Sequence, residues 1–160
     1  MTAEALLSEL RRHGLALAVA ESLTGGALSS ALVEVPGASA VYRGGVVSYA
    51  TDLKHRLLGV DAELLDREGP VHPVVAVRMA RGVAERLGEA GARTLGIATT
   101  GVAGPEPQGG AAVGTVFVAA VLDDLELVRE HRFDGGRPEI RAASVAAALA
   151  LAQELVASLR

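Results

Sequence analysis

The sequence contains no cysteine, no tryptophan, and only two tyrosines and two phenylalanines. Without cysteine the protein has no disulfides, no thiolate metal ligands and no thiol nucleophile. The four histidines, His13, His55, His72 and His131, show no spacing typical of metal ligands. We therefore expect neither a metal nor a cofactor.

A basic surface is missing as well, since the formal net charge is −4. Polynucleotides select basic faces, and single strands also need aromatic stacking platforms. A nucleic-acid partner is therefore disfavoured. Uncharged apolar runs of about 18 residues, which a membrane span requires, are also absent. The N-terminal segment lacks the basic region of a signal peptide, so we expect a cytoplasmic protein with no membrane partner.

Lysine is scarce in a different way, because Lys54 is the single lysine among 15 cationic side chains. Arginine keeps its proton under ordinary conditions, whereas lysine loses it when it is desolvated or placed near another cation. A lone lysine in an arginine-rich chain indicates a position where arginine is unsuitable. The alternative interpretation is the chance survival of one surface lysine, and composition alone does not separate the two.

Helical and strand patterns alternate along the 160 residues, half of which are hydrophobic. Apolar spacing and capping residues predict helices over 2–12, 27–35, 51–58, 61–68, 73–87 and 138–159. Short apolar runs predict strands over 15–20, 45–50 and 93–99, followed by a hairpin of 113–122 and 125–133. This order predicts an α/β fold, a three-layer α/β/α sandwich with a mixed β-sheet, in a single domain over residues 1–160.

The first candidate cluster is Glu21-Ser-Leu-Thr-Gly-Gly26, where a predicted strand passes into a helix. Ligands of open α/β sheets bind beyond the carboxyl ends of the strands, and free N–H groups at a helix start can hold an anion. Ser22 would lie in that field, with Thr24, Gly25 and Gly26 close to a ligand. The alternative is structural: Ser22 or Thr24 caps the helix and the glycines only form the turn.

The second cluster is Tyr49-Ala-Thr-Asp-Leu-Lys54, again between a strand and a helix. A lysine kept partly neutral by burial can remove the proton of a serine hydroxyl, and a nearby tyrosine can relay that proton. The alternative places Tyr49 in the core and Lys54 on the exposed face of a helix.

The third cluster is Thr99-Thr-Gly-Val-Ala-Gly-Pro105, at the end of another predicted strand. Its small and hydroxyl residues suit backbone contact with a phosphate or a sugar, although a plain turn has the same composition. Arg137 and Arg141, one helical turn apart, either add positive charge to the site or form a solvated helix face. Three such strand ends in one small domain can converge on one crevice.

Together the clusters resemble the CinA C-terminal domain family over about residues 13 to 158. The motifs that carry the resemblance are Ala20-Glu-Ser-Leu-Thr-Gly-Gly26, Pro36-Gly-Ala-Ser39, Arg43-Gly-Gly-Val-Val-Ser-Tyr49, Lys54, Leu58-Gly-Val60, Met79-Ala-Arg-Gly82, Thr100-Gly-Val-Ala-Gly-Pro105, Val113-Gly114 and Gly135-Gly-Arg137 with Arg141. Their order and spacing are more specific than any one of them.

The resemblance implies hydrolysis of the carboxamide of nicotinamide mononucleotide to nicotinic acid mononucleotide and ammonia, a step in pyridine nucleotide recycling. It also implies Ser22 as nucleophile with Lys54 and Tyr49 as its activating partners. The substrate-binding residues that it implies are Thr24, Gly25, Gly26, Thr100, Gly101, Ala103, Gly104, Arg137 and Arg141. Many members carry this domain behind a larger N-terminal domain, so this chain resembles the stand-alone form, and similar proteins suggest a homodimer.

Three positions depart from the pattern of the family. Leu23 replaces a frequent cysteine, His72 replaces a small hydroxyl residue, and Gly136 replaces the acid that usually precedes Arg137. None of them alters Ser22, Tyr49 or Lys54. The hypothesis is an acyl-enzyme reaction in which N–H groups around Thr24 to Gly26 hold the oxyanion. The alternative is a non-catalytic nucleotide-binding module in a competence or DNA-damage response.

Overall fold

Strands and helices alternate along most of the chain in the computed structural model, which describes residues 2–159. The helices are α1 (Ala3–His13), α2 (Ala27–Val33), α3 (Thr51–Leu58), α4 (Ala62–Glu68), α5 (Pro73–Leu87) and α6 (Arg137–Ala157). The strands are β1 (Ala16–Glu21), β2 (Tyr42–Val47), β3 (Thr94–Gly101), β4 (Thr115–Leu122) and β5 (Leu125–Arg132).

The strands form one mixed sheet in the order β2-β1-β3-β4-β5. β1 pairs in parallel with β2 and β3, whereas β3–β4 and β4–β5 are antiparallel. The carboxyl ends of β1, β2, β3 and β5 consequently lie at the same edge of the sheet. The four segments that leave this edge contain Ser22, Tyr49, the 102–110 loop and Arg137.

Helices cover both faces of the sheet, which confirms the predicted three-layer α/β/α sandwich. One core lies between the sheet and α1, α2 and α6, and includes Leu7, Leu28 and Leu155. The other core lies between the sheet and α3, α4 and α5, and includes Leu58 and Met79. Every residue of β3 and β4 is buried, as expected for strands that are covered on both faces.

The predicted second strand, 45–50, was displaced, because the observed β2 runs from Tyr42 to Val47. The Arg43-Gly44-Gly45 stretch has the composition of a turn, yet it pairs with β1 across a register irregularity at Leu17 and Ala18. After Val47 the chain leaves the sheet. This early exit frees Tyr49 from the strand and turns it toward solvent.

Helix α6 is long and apolar enough to cross a membrane by length and composition alone. Its buried residues, among them Ile140, Ala148 and Leu155, pack in the first core against the sheet. An apolar helix that packs in this way is a core helix of a globular domain.

Candidate active site

Ser22 lies directly after β1, and Lys54 lies in the first turns of α3. The Nζ of Lys54 is 3.0 Å from the Oγ of Ser22, although the residues are 32 positions apart in the sequence. The backbone N–H of Ser22 donates to the carbonyl of Thr99 at the end of β3, which fixes the serine at the junction of two parallel strands. The sheet topology therefore brings the first two sequence clusters into direct contact.

Lys54 is a buried amine, only 1% exposed, and not the surface lysine of the alternative interpretation. Its other hydrogen-bond partner is the carbonyl of Ser48, at 2.7 Å. No ion pair within residues 2–159 involves Lys54. Burial without a counter-charge lowers the pKa of Lys54 to about 8, so the neutral amine is accessible near neutral pH.

The carboxylate of Glu21 organises the start of α2, beside the nucleophile. It is fully buried and accepts hydrogen bonds from the N–H groups of Gly26, Leu28 and Ser29 and from the Ser29 hydroxyl, at 2.7–3.0 Å. A negative charge at this position satisfies the orphan N–H groups and complements the helix dipole. Sequence reasoning included Glu21 in the cluster but gave it no role.

The hydrogen bonds at the start of α2 differ from two of the expectations drawn from the sequence. The N-cap of α2 is Gly26, with no side-chain cap bond, so neither Ser22 nor Thr24 caps this helix. The N–H groups of Gly25 and Gly26 are also occupied, by the Ser22 carbonyl and by Glu21, and are not free for an oxyanion. In contrast, the N–H groups of Leu23 and Thr24 take part in no hydrogen bond within the described chain.

Tyr49 follows β2 and is 59% exposed, so it is not the core residue of the alternative interpretation. Its hydroxyl accepts a hydrogen bond from Arg137 at 2.9 Å, and the same guanidinium donates to the carbonyl of Gly104 at 2.7 Å. Tyr49 has no hydrogen bond to Ser22 or Lys54 within residues 2–159. Arg137 instead joins the end of β2 to the loop after β3.

A cavity of about 220 Å³ opens over Ser22 at this edge of the sheet. Its predicted lining residues are Ser22, Tyr49, Gly101, Ala103, Gly104 and Arg137. Leu23, Val102, Glu106 and Gln108 complete the lining. Lys54 lies beneath the cavity and reaches it through Ser22. Larger surface cavities occur, and one of about 480 Å³ lies at the opposite edge of the sheet around Thr94.

The remaining predicted binding residues do not line this cavity. The Thr24 hydroxyl shares a buried hydrogen bond with that of Thr99, at 2.8 Å. The Thr100 hydroxyl donates to the carbonyl of Pro70 at 2.7 Å. Arg141 donates to backbone carbonyls next to Ser22, and Gly25 lies beside that guanidinium. These side chains hold the walls of the site together.

Sequence reasoning missed Glu106, Gln108 and the Ser48 carbonyl. Glu106 and Gln108 belong to a loop whose tip is closed by an isolated bridge between Gln108 and Ala111, with Gly109 and Gly110 in left-handed conformations. The Gly109-Gly110 pair, between the two bridged residues, could have indicated a tight turn. A backbone carbonyl such as that of Ser48 leaves no signal in a sequence.

His72, which departs from the family pattern, takes over a capping role. It is the N-cap of α5, and its Nδ1 accepts a hydrogen bond from the N–H of Val74 at 3.3 Å. A serine or threonine hydroxyl performs the same task at other helix starts, which explains why the exchange is compatible with the fold. Within residues 2–159, no three His, Asp or Glu side chains form a group that could hold a metal ion.

The fold and this pair of residues define a three-layer α/β protein with a buried lysine against a serine at the carboxyl edge of its sheet. The model of the CinA C-terminal domain matches residues 1–156. The chain belongs to this family.

Curated relatives and solved structures agree with this assignment. A CinA-like protein of Frankia casuarinae is 48% identical over 154 residues, which cover 96% of this chain and 35% of that protein. A putative competence-damage inducible protein of Bacillus subtilis is 41% identical over 82% of this chain and 30% of its own length. The chain thus spans about a third of these relatives.

Among solved structures, the competence/damage inducible protein CihA of Agrobacterium tumefaciens has a TM-score of 0.88 and 36% identity, covering 96% of this chain and 92% of that chain. A CinA superfamily protein of Escherichia coli has a TM-score of 0.89 and 34% identity, covering 96% of this chain and 87% of that chain. Both similarities extend over nearly the whole fold.

Proposed function

We propose that this protein is an amidohydrolase that removes the amide nitrogen of nicotinamide mononucleotide, with Ser22 as nucleophile and Lys54 as general base. The observation that carries the proposal is the 3.0 Å contact between a buried lysine amine and the serine hydroxyl beneath a cavity. The substrate is inferred from the resemblance to the enzymatic members of the family.

In the first step, neutral Lys54 accepts the proton of the Ser22 hydroxyl while the serine oxygen bonds to the amide carbon. The carbonyl oxygen becomes an oxyanion. When the intermediate collapses, the C–N bond breaks and the ammonium of Lys54 returns its proton to the leaving nitrogen, which departs as ammonia. The product of this half is an acyl ester on Ser22.

Water completes the cycle by the reverse sequence of proton transfers. Lys54 takes a proton from the attacking water, the ester C–O bond breaks, and the proton returns to the Ser22 oxygen. The carboxylic acid that forms gives its proton to water or to the released ammonia, and nicotinic acid mononucleotide leaves as the carboxylate. Within residues 2–159 Lys54 has no carboxylate partner that would hold it protonated, and this environment favours its role as a base.

The charged residues that line the cavity are complementary to the charges of the proposed substrate. Glu106 contributes a carboxylate to the wall and suits the cationic pyridinium ring, whereas Arg137 and the loop after β3 suit the phosphate. Arg137 already holds Tyr49 and Gly104, so a bound phosphate shares or replaces those two contacts.

The test is ammonia release from nicotinamide mononucleotide by the wild type, Ser22→Ala and Lys54→Arg. Of these three proteins, we expect only the wild type to turn over. Ser22→Ala lacks the nucleophile, and the arginine of Lys54→Arg keeps the positive charge but cannot act as a base near neutral pH. Ser30→Ala, an exposed serine on α2, is the matched control and should retain full activity. Binding of the nucleotide without ammonia release would support the non-catalytic binding module instead.

A further inference from the structure

Arg141 makes two hydrogen bonds to the chain immediately after the nucleophile. Its Nε donates to the carbonyl of Leu23 at 2.9 Å, and its second terminal nitrogen donates to the carbonyl of Thr24 at 2.8 Å. These bonds connect α6 to a turn that lies more than a hundred positions earlier in the sequence. Two parallel bonds from one rigid planar group restrain both direction and distance.

The two bonds fix the orientation of two successive peptide units. In a trans peptide the C=O and N–H groups point in opposite directions. With the carbonyls of Leu23 and Thr24 facing Arg141, the N–H groups of Thr24 and Gly25 face away from it. The Gly25 N–H donates to the Ser22 carbonyl at 3.0 Å, and this bond also fixes the Ser22–Leu23 peptide, whose N–H points away from Gly25.

Two N–H groups of this turn, those of Leu23 and Thr24, take part in no hydrogen bond within residues 2–159, whereas Glu21 occupies the N–H of Gly26. Of these two residues, Leu23 lines the cavity beside Ser22, and Thr24 is fully buried. A backbone N–H that is fixed before the reaction stabilises a developing oxyanion without reorganisation. If this turn were mobile, its N–H would have to be oriented during the reaction, and the stabilisation of the oxyanion would be weaker.

We propose that Arg141 is a positioning residue that holds this turn so that the Leu23 N–H, at the wall of the cavity, serves as the oxyanion donor, and that Arg141 does not bind substrate. The proposal rests on the proposed function, because the oxyanion arises from attack by Ser22. It separates the two arginines of α6: Arg137 lines the cavity, whereas Arg141 does not. One helical turn between them is enough to divide the two tasks.

The experiment compares R141M and R141K with the wild type, and uses R78M, an exposed arginine of α5, as control. For ammonia release from nicotinamide mononucleotide, we expect kcat of R141M to fall about 100-fold, with KM little changed. R141K should lose less than R141M, because its ammonium can still donate to one of the two carbonyls, although it lacks the planar fork that fixes both. Guanidinium chloride at millimolar concentration should restore part of kcat in R141M and leave the wild type and R78M unaffected.

A second readout does not depend on the identity of the substrate. A fluorophosphonate reacts with an activated serine, and its phosphoryl oxygen uses the same donor, so R141M should be phosphonylated at Ser22 more slowly than the wild type. If R141M fails to fold, R141K carries both measurements. An unchanged kcat and labelling rate, or a raised KM with kcat retained, overturns the proposal.

The same two readouts distinguish this inference from the proposed function. A wild-type protein that is labelled at Ser22 but releases no ammonia has a different substrate, and the labelling rates still decide the role of Arg141. A wild-type protein that is neither labelled nor active refutes the serine chemistry, and the positioning role falls with it.

Discussion

The guanidinium of Arg137 donates to the Tyr49 hydroxyl at 2.9 Å, although 88 positions separate the two residues in the sequence. This contact connects the exit of β2 to the start of α6, above the cavity. Within residues 2–159 no hydrogen bond joins Tyr49 to Ser22 or Lys54, which a direct proton relay through Tyr49 requires. The position of Tyr49 over the site is therefore set by an arginine of another layer.

Tyr49→Phe should lower kcat/KM for ammonia release and barely change stability. The lost hydrogen bond lies at the surface, so the free energy of unfolding should fall by less than about 1 kcal/mol. Urea unfolding and steady-state kinetics on the same preparation check both statements. Ser39→Ala, which removes an exposed hydroxyl that does not line the cavity, is the control and should leave kcat/KM near the wild-type value.

The pH dependence of activity should follow Lys54. The base must be neutral, and burial places its pKa at about 8. We therefore expect kcat/KM to rise with pH and to level off above an apparent pKa near 8. If the protein stays folded from about pH 6 to 10 and kcat/KM does not change over this range, Lys54 is not the base.

Lys54→Met should stabilise the fold while it abolishes turnover. The pKa of Lys54 is about 8 in the folded protein and 10.5 without its environment, so the unfolded chain binds more protons between these values. The cost of burying the charge is complete below pH 8 and disappears as the pH rises toward 10.5. Removing it should raise the free energy of unfolding by about 1–3 kcal/mol at pH 6, and by less at high pH.

Urea unfolding of Lys54→Met at low and high pH measures this difference. Arg56→Met is the matched control, since it removes an exposed cation from the same helix and should change stability by less than about 0.5 kcal/mol at either pH. A gain that grows with pH contradicts the assigned direction of the pKa shift.

Glu21→Gln should destabilise the protein by about 2–4 kcal/mol, because an amide nitrogen then faces N–H donors that need an acceptor. Four hydrogen bonds depend on this buried carboxylate. Glu9→Gln, at an exposed surface pair with Arg12, provides the comparison and should lie within about 0.5 kcal/mol of the wild type. Equal stabilities of the two variants would mean that Glu21 does not hold α2.

The sequence predicted the order of elements because the local signals agreed with the tertiary structure. Gly14 ends α1 in a left-handed conformation, Pro73 opens α5, and the apolar run of β1 is buried as expected. Boundaries failed where pairing with a neighbour decided them, as at β2, which was predicted over 45–50 and pairs with β1 over Tyr42–Val47. The helix predicted over 51–58 has these bounds in the structure, although its N-cap, Ala50, makes no side-chain bond.

The site was predicted as a set of residues, and the division of tasks among them was not. Ser22 and Lys54 meet because parallel strands end at one edge, which the element order implies. That Thr24 and Thr100 point their hydroxyls into the protein depends on Thr99 and Pro70, whose proximity no spacing indicates. Catalysis by the pair and assembly as a homodimer stay predictions, and sedimentation checks the second.

The nucleophile and its base are anchored in different helical layers. Leu23, next to Ser22, packs in the core beneath α2 and α6, whereas α3, which carries Lys54, places Leu58 in the core on the opposite face of the sheet. The distance between the Ser22 Oγ and the Lys54 Nζ consequently depends on how the two helical layers are aligned across the sheet. Loosening of either layer separates the reactive atoms while most of the molecule is still folded, so inactivation should precede global melting.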